Sequence, residues 1–477
     1  MLFHSVEFAI FLPVAFSIYW LLDGRIKAQN ACLVLMSYVF YGWWDWRFLL
    51  LIIFSSSVDF ILAHRIQHSD NDQRRKLYLW LAVCTNLLLL SVFKYYNFFI
   101  ESFANAYSFF GHEITVNRLD IILPVGISFY TFQTMSYSID VYRRRFHATK
   151  DLISFFAFVG FFPQLVAGPI ERASNLLPQL QRERKFDYHK SVDGIRQILW
   201  GLFKKMVIAD NCAVIVDAVF ADYTQHHGGT LFAVALLFTI QLYCDFSGYS
   251  DIAIGTARLF GIHLKQNFAF PVFSKNIVEF WQRWHISLMT WLRDYPYKWI
   301  RDNDPNRRRR AFNVIILFIL CGFWHGANWS FIIWGMFNGL WFAVHIKTRK
   351  FFNQIKFRPT NRLNWLINLF KLSTTFALIS YLGVLFRSDD IHTAFNIMKT
   401  ILSTSLFMMP DIRANNLFWL IAGFLFVEWI QRKKQHALEF DSIGVPTLFR
   451  WSAYLLIILS IAGFGKFSGT EYVYFIF

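Results

Sequence analysis

The stretch AFNVIILFILCGFWHGANWSFIIWGMFNGLWFAVHI, Ala311–Ile346, decides how the rest of the chain is read. Basic residues flank it on both sides, Arg307–Arg310 before it and Lys347–Lys350 after it. Lys and Arg collect on the cytoplasmic side of a membrane, so a segment with two basic ends must go in and come back. Ala311–His325 is 15 residues long, roughly 22 Å of helix at about 1.5 Å per residue. His325 therefore falls near the far end of a hairpin, deep in the membrane or towards its outer half. Gly322 and Gly326 bracket it and permit a tight turn or a close backbone approach. Burying an ionisable side chain there is costly, which makes function the default expectation. A neutral, hydrogen-bonded packing histidine between Trp324 and Gly326 is the competing reading of the hairpin taken alone.

Composition points the same way. The 477 residues are 56% hydrophobic and 16% charged, against about 25% charged in an average soluble domain. Phe supplies 56 of them, Tyr 20 and Trp 18, which excludes a disordered chain, a collagen-like rod and a disulfide-stapled module. An all-α polytopic membrane protein remains. Lys and Arg number 47 against 31 Asp and Glu, a formal charge of +16. The basic residues sit in short clusters between apolar runs, where they attract anionic headgroups and fix orientation. No basic stripe or stacking module accompanies them, so nucleic acid is not an expected partner; membrane lipid is. The cysteines Cys32, Cys84, Cys212, Cys244 and Cys321 form no CxxC pair and read as small buried thiols. The first apolar run lacks a basic leader and a small-residue cleavage site, so it is expected to stay as a helix.

Apolar runs that can cross or nearly cross hydrocarbon lie at 6–22, 31–44, 48–63, 77–93, 152–166, 195–220, 231–260, 312–323, 331–344, 366–386, 418–430 and 454–465. They predict about 11 spanning helices, with re-entrant or interfacial helices besides, around a central cavity or tunnel. No repeat or long linker divides the chain. The expectation is one integral domain, 1–477, with core motifs at 40–345 and C-terminal helices at 363–477. Basic clusters after the first and third runs place the N-terminus outside the cytoplasm, and 391–413 then lies on the outer surface. Trp43, Trp44 and Trp46 suit an interfacial belt. Two runs are broken: 121–140 by Pro124, Gly126 and Gln133, and 158–170 by Pro163, Gln164, Gly168 and Pro169. Broken backbone at membrane depth must be satisfied by protein or water, so these runs are expected to line a cavity, Gln133 and Gln164 among its polar groups.

Two further stretches carry chemistry. EFWQRWHISLMTWLRDYPYKW, Glu279–Trp299, is too polar to span, yet Phe280, Trp284, Leu288 and Trp291 share one helical face. It is either an amphipathic helix lying in the interface or a re-entrant helix carrying His285 inward to meet His325, with Arg283, Trp284 and Asp294 beside it. QLYCDFSGYSDIAI, Gln241–Ile254, sets Asp245 and Asp251 among Tyr243, Ser247 and Tyr249 in an apolar run. Carboxylates at that depth need partners, for which Arg258 and Arg283 are candidates. The group is either a structural polar network or part of a substrate passage. His345 falls at the cytoplasmic end of the hairpin. No phosphate loop, GxSxG elbow, HExxH helix or metal-ligand cluster occurs, so neither a metal nor a bound cofactor is expected.

FYGWWDWRF (Phe40–Phe48), FKYYNFF (Phe93–Phe99), LPVGISFYTFQTMSYSIDVYR (Leu123–Arg143), FFPQLVAGPI (Phe161–Ile170) and GLFKKMVIADN (Gly201–Asn211) are followed by the stretches around Asp245, His285 and His325. In that order, over roughly 1–345, they resemble the membrane-bound O-acyltransferase (MBOAT) family, and within it the bacterial alginate O-acetylation branch. The aromatic end YVYFIF is similar to that branch too. The chain departs from the family at RDYPYKWIRDNDPNRRRR, where relatives carry a PLGGNR-like loop, so the loop that would meet a donor differs here.

The resemblance implies transfer of an acyl group, most often acetyl, to a hydroxyl. It assigns catalysis to His325 and a second site role to His285. Acetyl-CoA or another cytoplasmic thioester would be the donor, and an extracytoplasmic polysaccharide the acceptor. A periplasmic acetyltransferase would be the partner, and the bacterial cytoplasmic membrane the location. Imidazole suits the base, since its pKa of about 6.5 lies near working pH. His285, with Asn328, would position a reactant or stabilise an oxyanion, and Trp324 would line the passage. Peptidoglycan O-acetylation and D-alanyl transfer to teichoic acid are the alternatives within enzymes. A transporter or channel for donor or polymer, with histidines as proton relays, and a scaffold for periplasmic transferases are the alternatives outside them.

Overall fold

Every regular element among the described residues of the computed structural model is helical, and those residues are 1–111, 114, 117–303, 309–352, 361–412, 415–440, 445–467 and 472. An all-helical build is what hydrocarbon demands, because a helix satisfies its backbone groups within one segment. Six helical runs are long and apolar enough to cross a membrane: Ile26–His68, Asp72–Phe109, Gly228–Leu259, Trp329–Thr348, Leu363–Arg387 and Thr447–Phe464. Val6–Leu21, Arg310–His325 and Asn416–Gln431 are shorter apolar helices. On Thr447–Phe464 only Ile457 is buried, while Leu448, Leu456 and Leu459 face outward. Such an exterior suits lipid tails. The chain is a multi-pass membrane protein.

Individual runs depart from expectation. The run at 152–166 breaks into Leu152–Gly160 and Phe162–Leu165, each too short to cross. The run at 195–220 is interrupted by a π-helical turn, Phe203–Ala209, whose seven residues are all buried. Ile391–Ile401 is an 11-residue amphipathic helix that buries Ala394, Ile397, Met398 and Ile401. Cys84 is exposed, whereas the other four cysteines are buried. Trp43, Trp44 and Trp46 face outward, as an interfacial belt requires. The arginines at 307 and 308, Arg413 and most of the YVYFIF end lie outside the described residues.

The chain divides into two compact units, Met1–Gly194 with Ala253–Lys265, and Ile195–Ile252 with Gln266–Phe477. In the first unit, several buried polar side chains are spent on neighbouring polar groups. Asp59 accepts from Asn86 at 2.7 Å and from Ser138 at 3.0 Å. Arg184 donates to Asn30 Oδ1 at 2.8 Å and to the Leu180 carbonyl at 3.0 Å. The broken run at 121–140 turns at Gly126, whose φ of +77° opens helix Ile127–Tyr142. There a Cβ would meet the Leu165 carbonyl oxygen at 2.6 Å, so only glycine fits. Gln164 Nε2 donates to Gln133 Oε1 at 2.8 Å, and Gln133 Nε2 to the Phe158 carbonyl at 2.7 Å. The broken segments are satisfied by protein here, the two glutamines closing on each other.

Candidate active site

Six helices build the site within the second unit, the first of them through its part up to Ile252: α1 (Gly228–Leu259), α2 (Ile277–Arg283), α3 (Ile286–Leu292), α4 (Arg310–His325), α5 (Trp329–Phe352) and α6 (Asn361–Arg387). Helices α4 and α5 form the expected hairpin. Their backbones touch because Gly322 and Gly335 carry no side chain: a Cβ on the first would run into the Phe331 carbonyl, and on the second into that of Phe318. Gly326 has φ −161°, extended backbone open to any residue. It is the Phe331 ring packed over it that leaves no room for a Cβ.

His325 is the last residue of α4 and is 5% exposed. Edge-on aromatic rings surround its imidazole, with Trp334 at 5.4 Å, Phe386 at 5.1 Å and its neighbour Trp324 at 4.8 Å. It lines a cavity of about 40 Å³ together with Phe280, Trp281, Trp284, Trp334, Asn338 and Phe386. A second cavity, of about 820 Å³, is lined by Trp281, Arg293, Tyr297, Arg310, Phe318 and His345 among others. Trp281 belongs to both walls.

His285 is buried as well, at 1% exposure. The Glu279–Trp299 stretch is not one surface helix: it breaks at His285, in left-handed backbone (φ 45°, ψ 52°), between α2 and α3, and α3 runs on through a π-helical turn, Arg293–Tyr297, into Lys298–Asp302. Trp281, Trp284 and Trp291 are all buried, which removes the interfacial reading. Asn267 holds the ring. Its Oδ1 accepts from His285 Nδ1 at 3.1 Å, from Ser287 Oγ at 2.9 Å and from the Ser287 N–H at 3.3 Å. The proton is thereby fixed on Nδ1, and the lone pair sits on Nε2. Trp324 stands within 5.9 Å of the His285 ring and 4.8 Å of the His325 ring, linking the two histidines through one indole.

Other expected site residues fall elsewhere. Asp245 and Asp251 do not pair with Arg258 or Arg283. Arg283 pairs with Glu279 one turn back at 2.6 Å, and Arg258 with Asp193. The partners are two consecutive lysines on the π-helical turn. Lys205 reaches Asp245 at 2.7 Å and Asp210 at 2.9 Å, while Lys204 reaches Asp251 at 2.5 Å and Ser247 Oγ at 2.8 Å. Tyr243 donates to Glu428 at 2.8 Å, and Tyr249 packs edge-on against Tyr472. None of these lines the His325 cavity. Asp294 pairs with its neighbour Arg293 at 2.8 Å. Asn328 Oδ1 accepts from the Ser330 N–H at 3.0 Å and its Nδ2 donates to the Asp389 carbonyl at 2.7 Å, so both its polar atoms are engaged at the start of α5. Gln133 and Gln164 belong to the first unit.

Several site residues escaped the sequence reading, Trp281, Trp334, Asn267, Asn338 and Phe386 among them. Asn267 sits in a loop with no motif around it. Asn338 is one helical turn beyond Trp334, a polar residue on the inner face of an apolar helix, and that was the available signal. Phe386 comes from α6, which periodicity alone cannot assign to this cavity.

Residues 38–387 match the membrane-bound O-acyltransferase family, which spans well over half of the chain, and the chain belongs to that family. It is an O-acyltransferase embedded in a membrane. Among curated relatives, it is 38% identical to the probable alginate O-acetylase AlgI of Pseudomonas aeruginosa, covering 90% of this chain and 80% of that one. It is 33% identical to the peptidoglycan O-acetyltransferase of Helicobacter pylori over 84% of this chain and 79% of that one. Against the teichoic acid D-alanyltransferase of Bacillus subtilis the identity is 28%, over 57% of this chain and 71% of the relative.

Proposed function

We propose that this protein moves an acetyl group from a thioester donor on the cytoplasmic side to hydroxyls of an extracytoplasmic polysaccharide, directly or through a periplasmic acetyltransferase. What carries the reading is His325: a buried imidazole at a helix end, boxed by aromatic rings, with a small cavity beside it. The hydroxyl oxygen attacks the thioester carbonyl as the imidazole takes its proton. The tetrahedral intermediate then collapses, the ester forms, and the thiolate leaves with that proton. His285, held with its lone pair on Nε2, positions a reactant from the far side of Trp324. Arg293 and Arg310 on the 820 Å³ cavity suit a donor that carries phosphates, such as acetyl-CoA.

The higher identity to alginate O-acetylases supports a uronic-acid polysaccharide as acceptor, with peptidoglycan as the second reading. D-Alanyl transfer is supported over little more than half of the chain. The proposed location is the bacterial cytoplasmic membrane with the N-terminus outside. The test is acetyl transfer from acetyl-CoA to alginate or peptidoglycan oligosaccharides by the purified, reconstituted protein. His325→Ala is expected to abolish it with insertion and melting temperature retained. Wild-type transfer by that variant would defeat the reading; thiol release without an acylated glycan from either acceptor would defeat the direct route and leave transfer through a periplasmic acetyltransferase.

A further inference from the structure

The two cavities differ twentyfold in size and share one side chain. Holding a single water takes roughly 10–15 Å³ on this measure, so the 40 Å³ beside His325 accommodates only a few heavy atoms. An acetyl group has three. The 820 Å³ chamber would take a far longer chain. Trp281 lines both, is 4% exposed, and is wedged edge-on between Phe318 at 5.1 Å and Trp334 at 5.7 Å. The small cavity is also unfinished in its polar groups. The Trp281 indole N–H and the Asn338 Oδ1 are buried with no hydrogen-bond partner. The other end of the Asn338 amide is already spent on the Trp334 carbonyl at 2.9 Å. A buried donor and acceptor without partners, on two residues that line the cavity, cost free energy that a ligand reaching them would offset.

We propose that the His325 cavity is a two-carbon acyl pocket and that Trp281 is its end wall, so that this indole measures the acyl chain. The proposal rests on the reading of His325 as the acyl-transfer site. The Trp281 N–H supplies a donor for the acyl oxygen, and Asn338 Oδ1 an acceptor for the hydroxyl that attacks it. A third or fourth carbon would meet the indole face, and an extra methylene in a closed apolar pocket is typically discriminated about 10- to 200-fold. Removing the indole joins the small cavity to the chamber behind it.

The experiment compares acetyl-, propionyl-, butyryl- and octanoyl-CoA with the reconstituted protein, reading His325-dependent thiol release and scoring the ratio of each longer donor to acetyl. In the wild type the ratio falls steeply beyond two carbons. In Trp281→Ala the butyryl and octanoyl ratios rise at least tenfold. Gly383→Ala acts in the opposite direction. Gly383 lines the same cavity, and the nearest atoms a Cβ there would meet belong to Phe238 and Thr239, both at 3.7 Å, an ordinary contact the fold can accept. It lowers the propionyl ratio several-fold, and this arm stands even where Trp281→Ala fails to fold. Wild-type protein that uses octanoyl as well as acetyl overturns the proposal alone, and so do ratios unchanged in both variants. Absence of any His325-dependent release overturns the acyl-transfer reading with it.

Discussion

The second unit holds two polar interiors built on opposite principles. Around the π-helical turn, Lys204 and Lys205 meet Asp210, Asp245 and Asp251 in short ion pairs, with Ser247 adding a hydrogen bond. The Lys205 ammonium also lies 4.4 Å from the Tyr472 ring centroid. Charge is buried there only because it is paired, and the group is occupied by its own side chains. Around His325 the opposite holds: rings in place of charges, a small cavity beside the imidazole, and unspent polar atoms on two residues that line it. A saturated network holds a shape, whereas an unsaturated box waits for something. The sequence pattern alone made Asp245 and Asp251 as eligible for the site as the histidines. What separates them is where the partners of each group come from.

The sharpest way to break that contrast is to remove one key residue from each interior. His325→Ala takes away the base, and transfer should fall by about 10²–10⁴-fold with the melting temperature in detergent nearly unchanged. Lys205→Ala removes the cation that the buried Asp210 and Asp245 share. Breaking a buried pair in this way costs roughly 3–5 kcal/mol, so thermal stability and yield should drop first, with surviving protein keeping its donor preference. Replacing Lys205, Asp210 and Asp245 together by neutral residues of similar size should recover much of that loss. If the triple variant melts normally but cannot transfer, the lysine network belongs to the reaction and the contrast fails.

Asn267 sharpens the comparison at a smaller scale. It makes no contact with the cavity, yet its Oδ1 fixes the His285 tautomer. Asn267→Ala should lower kcat by roughly tenfold, in line with the ~1–3 kcal/mol of an unsatisfied buried group. A purely structural role would lower the melting temperature and leave kcat per folded molecule intact. Single-turnover rates on the folded fraction distinguish the two.

How much of this was legible beforehand depends on which physical signal each residue sends. The α4–α5 hairpin was readable because basic flanks and an apolar interior are one-dimensional properties; counting helical rise put His325 at its far end, and its catalytic role came from the family resemblance. His285 was half readable. The recurrence of Phe280, Trp284, Leu288 and Trp291 announced an apolar face, but a left-handed residue splitting the helix leaves no trace in periodicity. The partners of Asp245 and Asp251 were misread for a related reason. In a regular helix two consecutive lysines point about 100° apart, and a π-helical turn that buries both Lys204 and Lys205 cannot be inferred from hydropathy. Asn267, Asn338 and Phe386 reach the site through tertiary packing, which no local pattern encodes.

Asn328 offers the smallest effect and a clean discrimination. From its place three residues after His325 it looks suited to an oxyanion, and losing such a donor costs about 10²–10³-fold in rate. In the structure its Oδ1 caps the first turn of α5 through the Ser330 N–H, and its Nδ2 holds the Asp389 carbonyl. Asn328→Ala should therefore cost about 1 kcal/mol of stability, the usual price of a lost N-cap, and transfer per folded molecule should change less than twofold. Asn328→Ser, which keeps a capping oxygen, should regain most of the stability. A hundredfold loss of rate in both variants would move Asn328 from the helix end into the reaction, and the aromatic box would then have to be redrawn with a polar floor.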